Sequence, residues 1–376
     1  MDFALSPDQT LMKQSVDRFV EENYAPDRRA SRPQYDIGFS RKHWSAFAEL
    51  GWLGLPIPEA AGGFGGTALD TMILMEAFGT GLVAEPFVPS VVVAGAILAA
   101  SSGTFAAGLL TDLIEGTKIA TLAYAEPQAG YEPARVSTTG RRDGDALVLD
   151  GAKVGVPFAV AADYLVVSVR TSGAIDSTDG VTLVAIASDA PGVTRRDYQT
   201  YDERRASDVT FNGARVPLAN VIGPLDGGLP LLDRALDLGN VALCAEAVGA
   251  MAVLHRGTVE FIKTRTQFGR PIGSFQALQH RAVDMLVQLE LARAITNYAA
   301  GVVDGEDAAT SRRAAAAAKV QICESSRYVG EQAIQLHGAI GLTEELFIGH
   351  YVKRLTVLAR ELGNEAYAIK RYIGTT

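Results

Sequence analysis

The chain has 376 residues, of which 48% are apolar, and its formal net charge is −9. This length exceeds what one hydrophobic core usually holds, so two or three packed units are expected. The acidic balance, with no run of more than two basic residues, disfavours a nucleic-acid-binding protein.

The sequence predicts a soluble, cytoplasmic protein. The start, MDFALSPDQ, has neither the basic nor the apolar region of a signal peptide. The longest apolar run, 91–100, is far shorter than the roughly 20 residues that span a bilayer, so no membrane association is expected. Cys244 and Cys323 lie in apolar helical patterns and are expected to be buried free thiols, which suits a reducing compartment.

Residues 1–118 are predicted to form an N-terminal α-helical domain. Ser6, Pro7 and Gln9 give the start of a helix with a capping box, and the apolar residues that follow repeat on one helical face. The stretch PEAAGGFGG at 58–66 lacks the Gly-Lys-Ser/Thr sequence of a phosphate-binding loop, so a nucleotide-binding role is disfavoured there.

Residues 119–224 are predicted to form a middle β domain, because the hydrophobic period changes to two. Turn signals at Asp143-Gly144 and Asn212-Gly213 separate short runs rich in valine, leucine and isoleucine. Short, closely spaced strands without helices between them favour a small antiparallel barrel or sandwich.

Residues 225–376 are predicted to form a C-terminal α-helical bundle, since the helical period returns after 228 and continues to the end. The helical pattern breaks at RTQFGRPIGSFQ, residues 265–276. A plain turn needs the glycine and the proline of this segment. It does not need Arg265, Gln267 and Phe268, which makes these three residues candidates for a function.

Several stretches, in order along almost the whole chain, resemble the acyl-CoA dehydrogenase family of flavoproteins. They are PEAAGGFGG at 58–66, YAEPQAG at 124–130, RRASDVTFNGARVPLANVIG at 204–223, RTQFGRPIGSFQALQHRAVDM at 265–285 and AKVQICESSRYVGEQAIQLHGAIG at 318–341. The resemblance implies an α+β multi-domain protein with an N-terminal α-helical domain, a middle antiparallel β-barrel and a C-terminal α-helical bundle. It also implies FAD as the cofactor, an acyl-CoA substrate and an electron-transfer flavoprotein as the electron acceptor.

The resemblance also gives the helix break a role. In this family the break faces a neighbouring subunit and holds the diphosphate and adenosine end of that subunit's FAD. Arg265 would pair with the diphosphate, Gln267 would offer amide hydrogen bonds, and Phe268 would pack against the cofactor. The resemblance assigns the other contacts with this end of FAD to Gln335 and to the backbone of His337, Gly338 and Ala339.

The family's reaction needs a carboxylate that takes the α-proton of the thioester while a hydride leaves for the flavin. The resemblance places the usual base at Leu362 and a less common one at Gly239, and neither is a carboxylate. Glu361 is one place early and is the tentative catalytic residue, although one step turns a helical side chain by about 100°. Glu365 and Glu246 are the next candidates.

The positions that hold the flavin ring in this family are also altered. Tyr131-Glu132 replaces the usual Ser-Asp, and Ala125 replaces a threonine. Gly155-Val156-Pro157 aligns with a Trp-Ile-Thr run whose tryptophan packs on the ring. The nucleotide half of the site is therefore expected to be intact, and the ring half and the base are expected to be lost.

This asymmetry resembles the small, base-lacking subunit of heteromeric acyl-CoA dehydrogenases, known among relatives that degrade sterol side chains or dicarboxylic acids. A homologous second dehydrogenase subunit would then carry the ring and the carboxylate. Two alternatives stay open at this point. One is a homomeric dehydrogenase with Glu361 as a displaced base, and the other is a flavin-free paralogue that binds only an acyl-CoA or a protein partner. No metal site is predicted.

Overall fold

The computed structural model describes residues 5–25, 36–305, 307–343 and 345–374. Their contacts divide the chain into two compact units, each discontinuous in sequence. One unit contains the described residues up to 25, residues 68–83 and those from 240 onward; the other contains 36–67 and 84–239. The division into 1–118, 119–224 and 225–376 remains a prediction.

Long helices dominate the first unit and short ones the second. They are α1 (Pro7–Tyr24), α2 (Arg41–Glu49), α3 (Ala68–Gly81), α4 (Gly95–Ala99), α5 (Thr104–Ile114), α6 (Leu229–Thr264), α7 (Gln276–Val303), α8 (Ala308–His337), α9 (Ile348–Leu358) and α10 (Glu365–Ile373). A π-helical turn, Phe87–Ala94, precedes α4. The predicted capping box of α1 is confirmed, because Ser6 Oγ accepts from the Gln9 amide at 3.1 Å and the Gln9 side chain accepts from the Ser6 amide.

Helix α6 is the longest helix of the described residues, with 36 residues. By length and composition it could cross a membrane, but 83% of its most apolar window is buried inside the protein, as in the core helix of a soluble protein. It carries Cys244, and α8 carries Cys323. Both are free and buried, which confirms that prediction, and burial raises the pKa of the Cys244 thiol to about 12.

The middle of the chain forms one mixed sheet. Its strands are β1 (Ala120–Ala123), β2 (Thr139–Asp143), β3 (Ala146–Pro157), β4 (Tyr164–Arg170), β5 (Val181–Ala187), β6 (Val193–Gln199), β7 (Arg205–Pro217) and β8 (Val221–Ile222). The order is β6-β7-β3-β2-β4-β5-β8, with β1 added parallel to β4. A separate hairpin pairs β9 (Thr266–Gln267) with β10 (Arg270–Pro271).

The predicted closed antiparallel barrel is wrong, because the sheet is open and contains parallel pairs. Within the described residues β6 and β8 end the path and do not pair with each other, and β2 meets β4 through a single register pair, Thr139↔Arg170. Strand β6 exposes most of its polar side chains, as suits an edge strand. Alternation and turn signals report strands and hairpins, whereas closure depends on pairing between strands far apart in sequence.

Helices α3 and α6 approach closely at two reciprocal glycines. A Cβ built on Gly79 would lie 2.0 Å from the Glu246 carbonyl oxygen, and one built on Gly249 would lie 1.9 Å from that of Glu76. Only glycine permits backbones to pack at this distance. The contact therefore sets how closely the two helices pack.

We predict that Gly249→Ala lowers the free energy of unfolding by about 3 kcal/mol, because the added methyl group meets a backbone carbonyl that cannot move away. Urea unfolding of the purified chain measures this. Gly330→Ala on α8 is the matched control, since its Cβ would meet only Val352, at 3.6 Å. Equal stability of both variants would refute the role given to the contact between α3 and α6.

A fully buried ion pair fixes the 124–138 segment to the sheet. Lys153 Nζ lies 2.7 Å from Glu126 Oε1 and also donates to the Tyr124 carbonyl and to Ser168 Oγ. Backbone amides of the 137–138 turn donate to the same carboxylate. Burial raises the pKa of Glu126, but the charge of Lys153 and these hydrogen bonds outweigh it and lower the pKa to about 2.

The lowered pKa of Glu126 predicts a loss of stability in acid. Because the folded value lies below the ordinary value of 4.5, the carboxylate stabilises the fold above pH 4.5, and this contribution is lost as the pH falls towards 2. Glu126→Gln should lower the free energy of unfolding by about 3 kcal/mol at pH 7, because it leaves the Lys153 charge buried and unpaired. The difference from the wild type should shrink between pH 4.5 and pH 2 in denaturant titrations.

The control is Asp143→Asn, which breaks an exposed ion pair with Arg215 and should change stability little at any pH. If the free energies of unfolding of Glu126→Gln and the wild type differed by the same amount at every pH, the role given to the Glu126 carboxylate would be contradicted.

Candidate functional site

The helix break between α6 and α7 is a β-hairpin with a strained turn. Gln267 pairs with Arg270, and the two turn residues, Phe268 and Gly269, have φ values of +53° and +79°. Positive φ is ordinary for glycine but unfavourable for phenylalanine. The Phe268 side chain is nevertheless 90% exposed and meets only the edge of the Phe275 ring, with centroids 6.2 Å apart. An aromatic side chain held outward by a strained backbone is typical of a binding site.

Polar donors beside this turn are left without partners. Within the described residues, the side chains of Arg265, Gln267 and Gln335 are exposed and form no hydrogen bond or ion pair. Exposed apolar side chains accompany them, with Ile340 44% and Leu342 74% exposed. Donors next to apolar surface fit a ligand that combines an anionic group with a flat ring.

The turn after α8 lies at the same end of the bundle. The His337 ring stacks on Phe261, one helical turn before Arg265, with centroids 4.3 Å apart. His337 is buried, which lowers its pKa, and its Nδ1 lies 2.7 Å from the Ala333 carbonyl oxygen. Only its backbone can therefore serve a ligand.

Gly338 ends α8 with φ +65° and ψ −147°, a conformation essentially restricted to glycine. No atom lies within 4 Å of the position that its Cβ would take. The backbone of Gly338 and of the exposed Ala339 is therefore open to close approach by a ligand. The structure thus brings the predicted residues of the helix break and of the glycine turn to one end of the bundle.

The C-terminal segment around Leu362 is held by buried positive charge. Lys319 Nζ, which is buried, donates to the carbonyl oxygens of Leu358 and Glu361 at 2.7 and 2.6 Å. An ammonium group at this place satisfies the free carbonyls at the end of α9. Asn240, which follows Gly239, donates its side-chain amide to the Leu362 carbonyl at 3.4 Å.

Arg354 engages two of the three carboxylates considered as bases. Its Nε and Nη2 each donate to the Glu246 carboxylate at 2.7 Å, and both side chains are at most 3% exposed. Its Nη1 donates to Glu361 Oε2 at 3.1 Å. Glu365 is exposed in the first turn of α10, where a carboxylate stabilises the helix. Leu362 itself has φ +56° and presents an apolar side chain.

A β-bulge lies at the other altered region, in β3. Its pairing with β7 passes from Lys153↔Val209 to Val156↔Ser207, so β3 contains one extra residue there. Gly155 within the bulge has φ +63°, and its amide donates to Asp208 Oδ1 at 3.1 Å. No aromatic side chain occupies this position, and the space around it is open.

Three family models match consecutive parts of the chain. The acyl-CoA dehydrogenase N-terminal, middle and C-terminal domains match residues 6–117, 121–214 and 226–371. The chain belongs to the acyl-CoA dehydrogenase family. The order of helical, sheet and helical domains that the sequence predicted is thereby confirmed, with an open sheet in place of the barrel.

Relatives and solved structures agree with this assignment. The probable acyl-CoA dehydrogenase YngJ of Bacillus subtilis is 28% identical over 99% of this chain and 98% of its own length. The ChsE4-ChsE5 complex from Mycobacterium tuberculosis contains a chain that is similar over 100% of this chain and 98% of that one, with 25% identity and a TM-score of 0.89. The FAD complex of PigA is similar with 25% identity, coverage of 100% and 99%, and a TM-score of 0.91.

Acyl-CoA dehydrogenases are FAD-dependent oxidoreductases, so the predictions of enzyme class and of FAD are confirmed at the level of the family. Sequence reasoning missed two groups at the site. Arg270 is opposite Gln267 on the hairpin, and strand alternation could have revealed it. Arg354 left no local signal, because its partners are distant in sequence. Within the described residues, no cluster of three or more His, Cys, Asp or Glu side chains could hold a metal ion.

Proposed function

We propose that this chain is the base-lacking subunit of a heteromeric, FAD-dependent acyl-CoA dehydrogenase. It would hold the adenosine diphosphate half of a FAD whose ring lies in a homologous second subunit. That second subunit would also supply the carboxylate and most of the acyl-CoA site. The observation that carries the proposal is the contrast between unpaired donors around the strained Phe268 and an apolar leucine at the base position.

The nucleotide end of FAD fits the exposed end of the bundle. The guanidinium of Arg265 can form paired hydrogen bonds with a phosphate, and the amides of Gln267 and Gln335 can bind ribose or phosphate oxygens. Phe268 and Leu342 offer apolar surface to the adenine ring. When bound, FAD supplies the acceptor for the hydride that leaves the β-carbon of the acyl group. This chain's residues bind and orient the nucleotide.

Two of the three candidate carboxylates are already paired with Arg354, which supports the assignment to a non-catalytic subunit. Proton abstraction needs a carboxylate within hydrogen-bond reach of the α-carbon, with a free lone pair. Arg354 engages Glu246 through both oxygens and Glu361 through one. The Leu362 side chain has no group that can accept a proton, and Gly239 has no side chain.

The bulge at Gly155 supports the loss of the ring site. The aligned run in relatives carries a tryptophan that packs on the flavin ring, and here the position lacks an aromatic group. The similarity to a chain of the ChsE4-ChsE5 complex agrees with an assembly of two unlike subunits. The proposal extends to a cytoplasmic location and to an electron-transfer flavoprotein as the electron acceptor.

Co-expression tests the proposal. The chain purified alone should lack the visible flavin spectrum, and the complex with a second dehydrogenase-like chain should be yellow and active. Within that complex, Arg265→Ala should weaken FAD retention by about tenfold or more, because a charge-assisted contact with the diphosphate is lost. Equilibrium dialysis against FAD measures retention.

Two results would reject the proposal. A yellow, active homomer would favour the homomeric alternative, and a chain that stays colourless with every partner would favour the flavin-free one.

Glu361→Gln tests the homomeric alternative, in which Glu361 is the base. We expect the active complex to keep its kcat within about twofold, because glutamine can still accept from Arg354 and no proton transfer depends on this residue. If Glu361 were the catalytic base, the substitution would instead lower kcat about a hundredfold or more. The melting temperature serves as the control for folding, and a large loss of kcat in a fully folded variant would establish Glu361 as the base.

A further inference from the structure

The hairpin between α6 and α7 presents two arginines on the same face. Gln267 is directly opposite Arg270, and the Ile272 amide donates to the Arg265 carbonyl oxygen at 2.8 Å, so the pairing continues to Arg265. Side chains alternate along each strand, and opposed residues share a face. Arg265, Gln267 and Arg270 therefore project from one face, and Thr266 and Pro271 from the other.

Arg270 is oriented by an aromatic ring. Its guanidinium carbon lies 4.1 Å from the centroid of the Phe275 ring, which precedes α7. Stacking uses the face of the guanidinium and leaves the N–H groups at its edge available. Within the described residues the side chain of Arg270 is exposed and forms no hydrogen bond or ion pair.

Two guanidiniums and one amide on one face suit a ligand with two adjacent negative charges. Each phosphate of a diphosphate ester carries a negative charge at neutral pH, and a single arginine neutralises only one of them. A second arginine, already held by its stacking contact, loses less conformational freedom when it binds. The contribution of Arg270 to diphosphate binding is therefore expected to be comparable to that of Arg265.

We propose that Arg270 is a second diphosphate-binding residue, which holds the adenosine diphosphate group of a dinucleotide together with Arg265 and Gln267. This inference rests on the proposed function, because the dinucleotide belongs to a neighbouring subunit. FAD and coenzyme A both contain adenosine diphosphate. The assignment is to FAD, because the family is FAD-dependent and the strained turn that carries Phe268 belongs to the same hairpin.

The test uses the co-expressed complex, stripped of flavin and titrated with FAD at several salt concentrations. Arg270→Ala should raise the Kd for FAD about 10- to 100-fold and weaken its dependence on salt. The affinity for ADP, measured by its competition with FAD, should fall in parallel. Arg270→Lys, which keeps the charge but loses the planar donor pair, should fall between the wild type and Arg270→Ala.

Matched variants separate the possible failures. Lys263→Ala removes an exposed charge that pairs with Glu260 near the end of α6, and it should leave the Kd unchanged. If Arg265→Ala weakens FAD binding and Arg270→Ala does not, the role of Arg270 is refuted and the proposed function stands. If neither changes the Kd, the proposed function fails as well. Weaker binding of acyl-CoA with unchanged binding of FAD would overturn the assignment to the flavin. Circular dichroism verifies that each variant is folded.

Discussion

The pairing of buried charge around Arg354 constrains the chemistry of the C-terminal segment. A guanidinium that is almost fully buried must be matched by carboxylates, since an unpaired charge there would be costly. Glu246 and Glu361 provide the match, and Lys319 secures the adjacent backbone. Carboxylates that stabilise the fold in this way are poorly placed to exchange protons with a substrate. In the proposed function, the segment around Leu362 has a structural role.

The two regions that depart from the family pattern contrast with the end of the bundle that carries Phe268. Around Phe268 the backbone is strained and the donors are unpaired, so this surface is organised for a group outside the chain. Around Leu362 and Gly155 several polar groups are bonded within the chain, among them the carboxylates of Glu361 and Asp208. A protein that lost its cofactor altogether would have no reason to maintain the first arrangement. The proposed sharing of a cofactor with a second subunit would account for this contrast.

Much of this could be predicted from the sequence, because the relevant signals are local. The capping box of α1 needs only residues three apart. The break at 265–276 is indicated by a glycine and a proline within a helical pattern. The empty base position follows from the family pattern in the same way. Pairings across long distances gave no such signal. Closure of the sheet, the contact between Glu246 and Arg354, and the extra residue in β3 all depend on which distant segments meet.

The bulge in β3 has a consequence for how this chain could change over evolutionary time. Within the described residues no atom lies within 4 Å of the position that a Cβ at residue 155 would take, so the start of a side chain is not blocked there. The obstacle is the left-handed backbone, which an L-residue with a bulky side chain adopts only at a cost of about 1–2 kcal/mol. Replacement of Gly155 by an aromatic residue would therefore carry this cost unless the extra residue of β3 were also deleted. Under the proposed function, a single substitution at this position would not remove the need for a companion subunit.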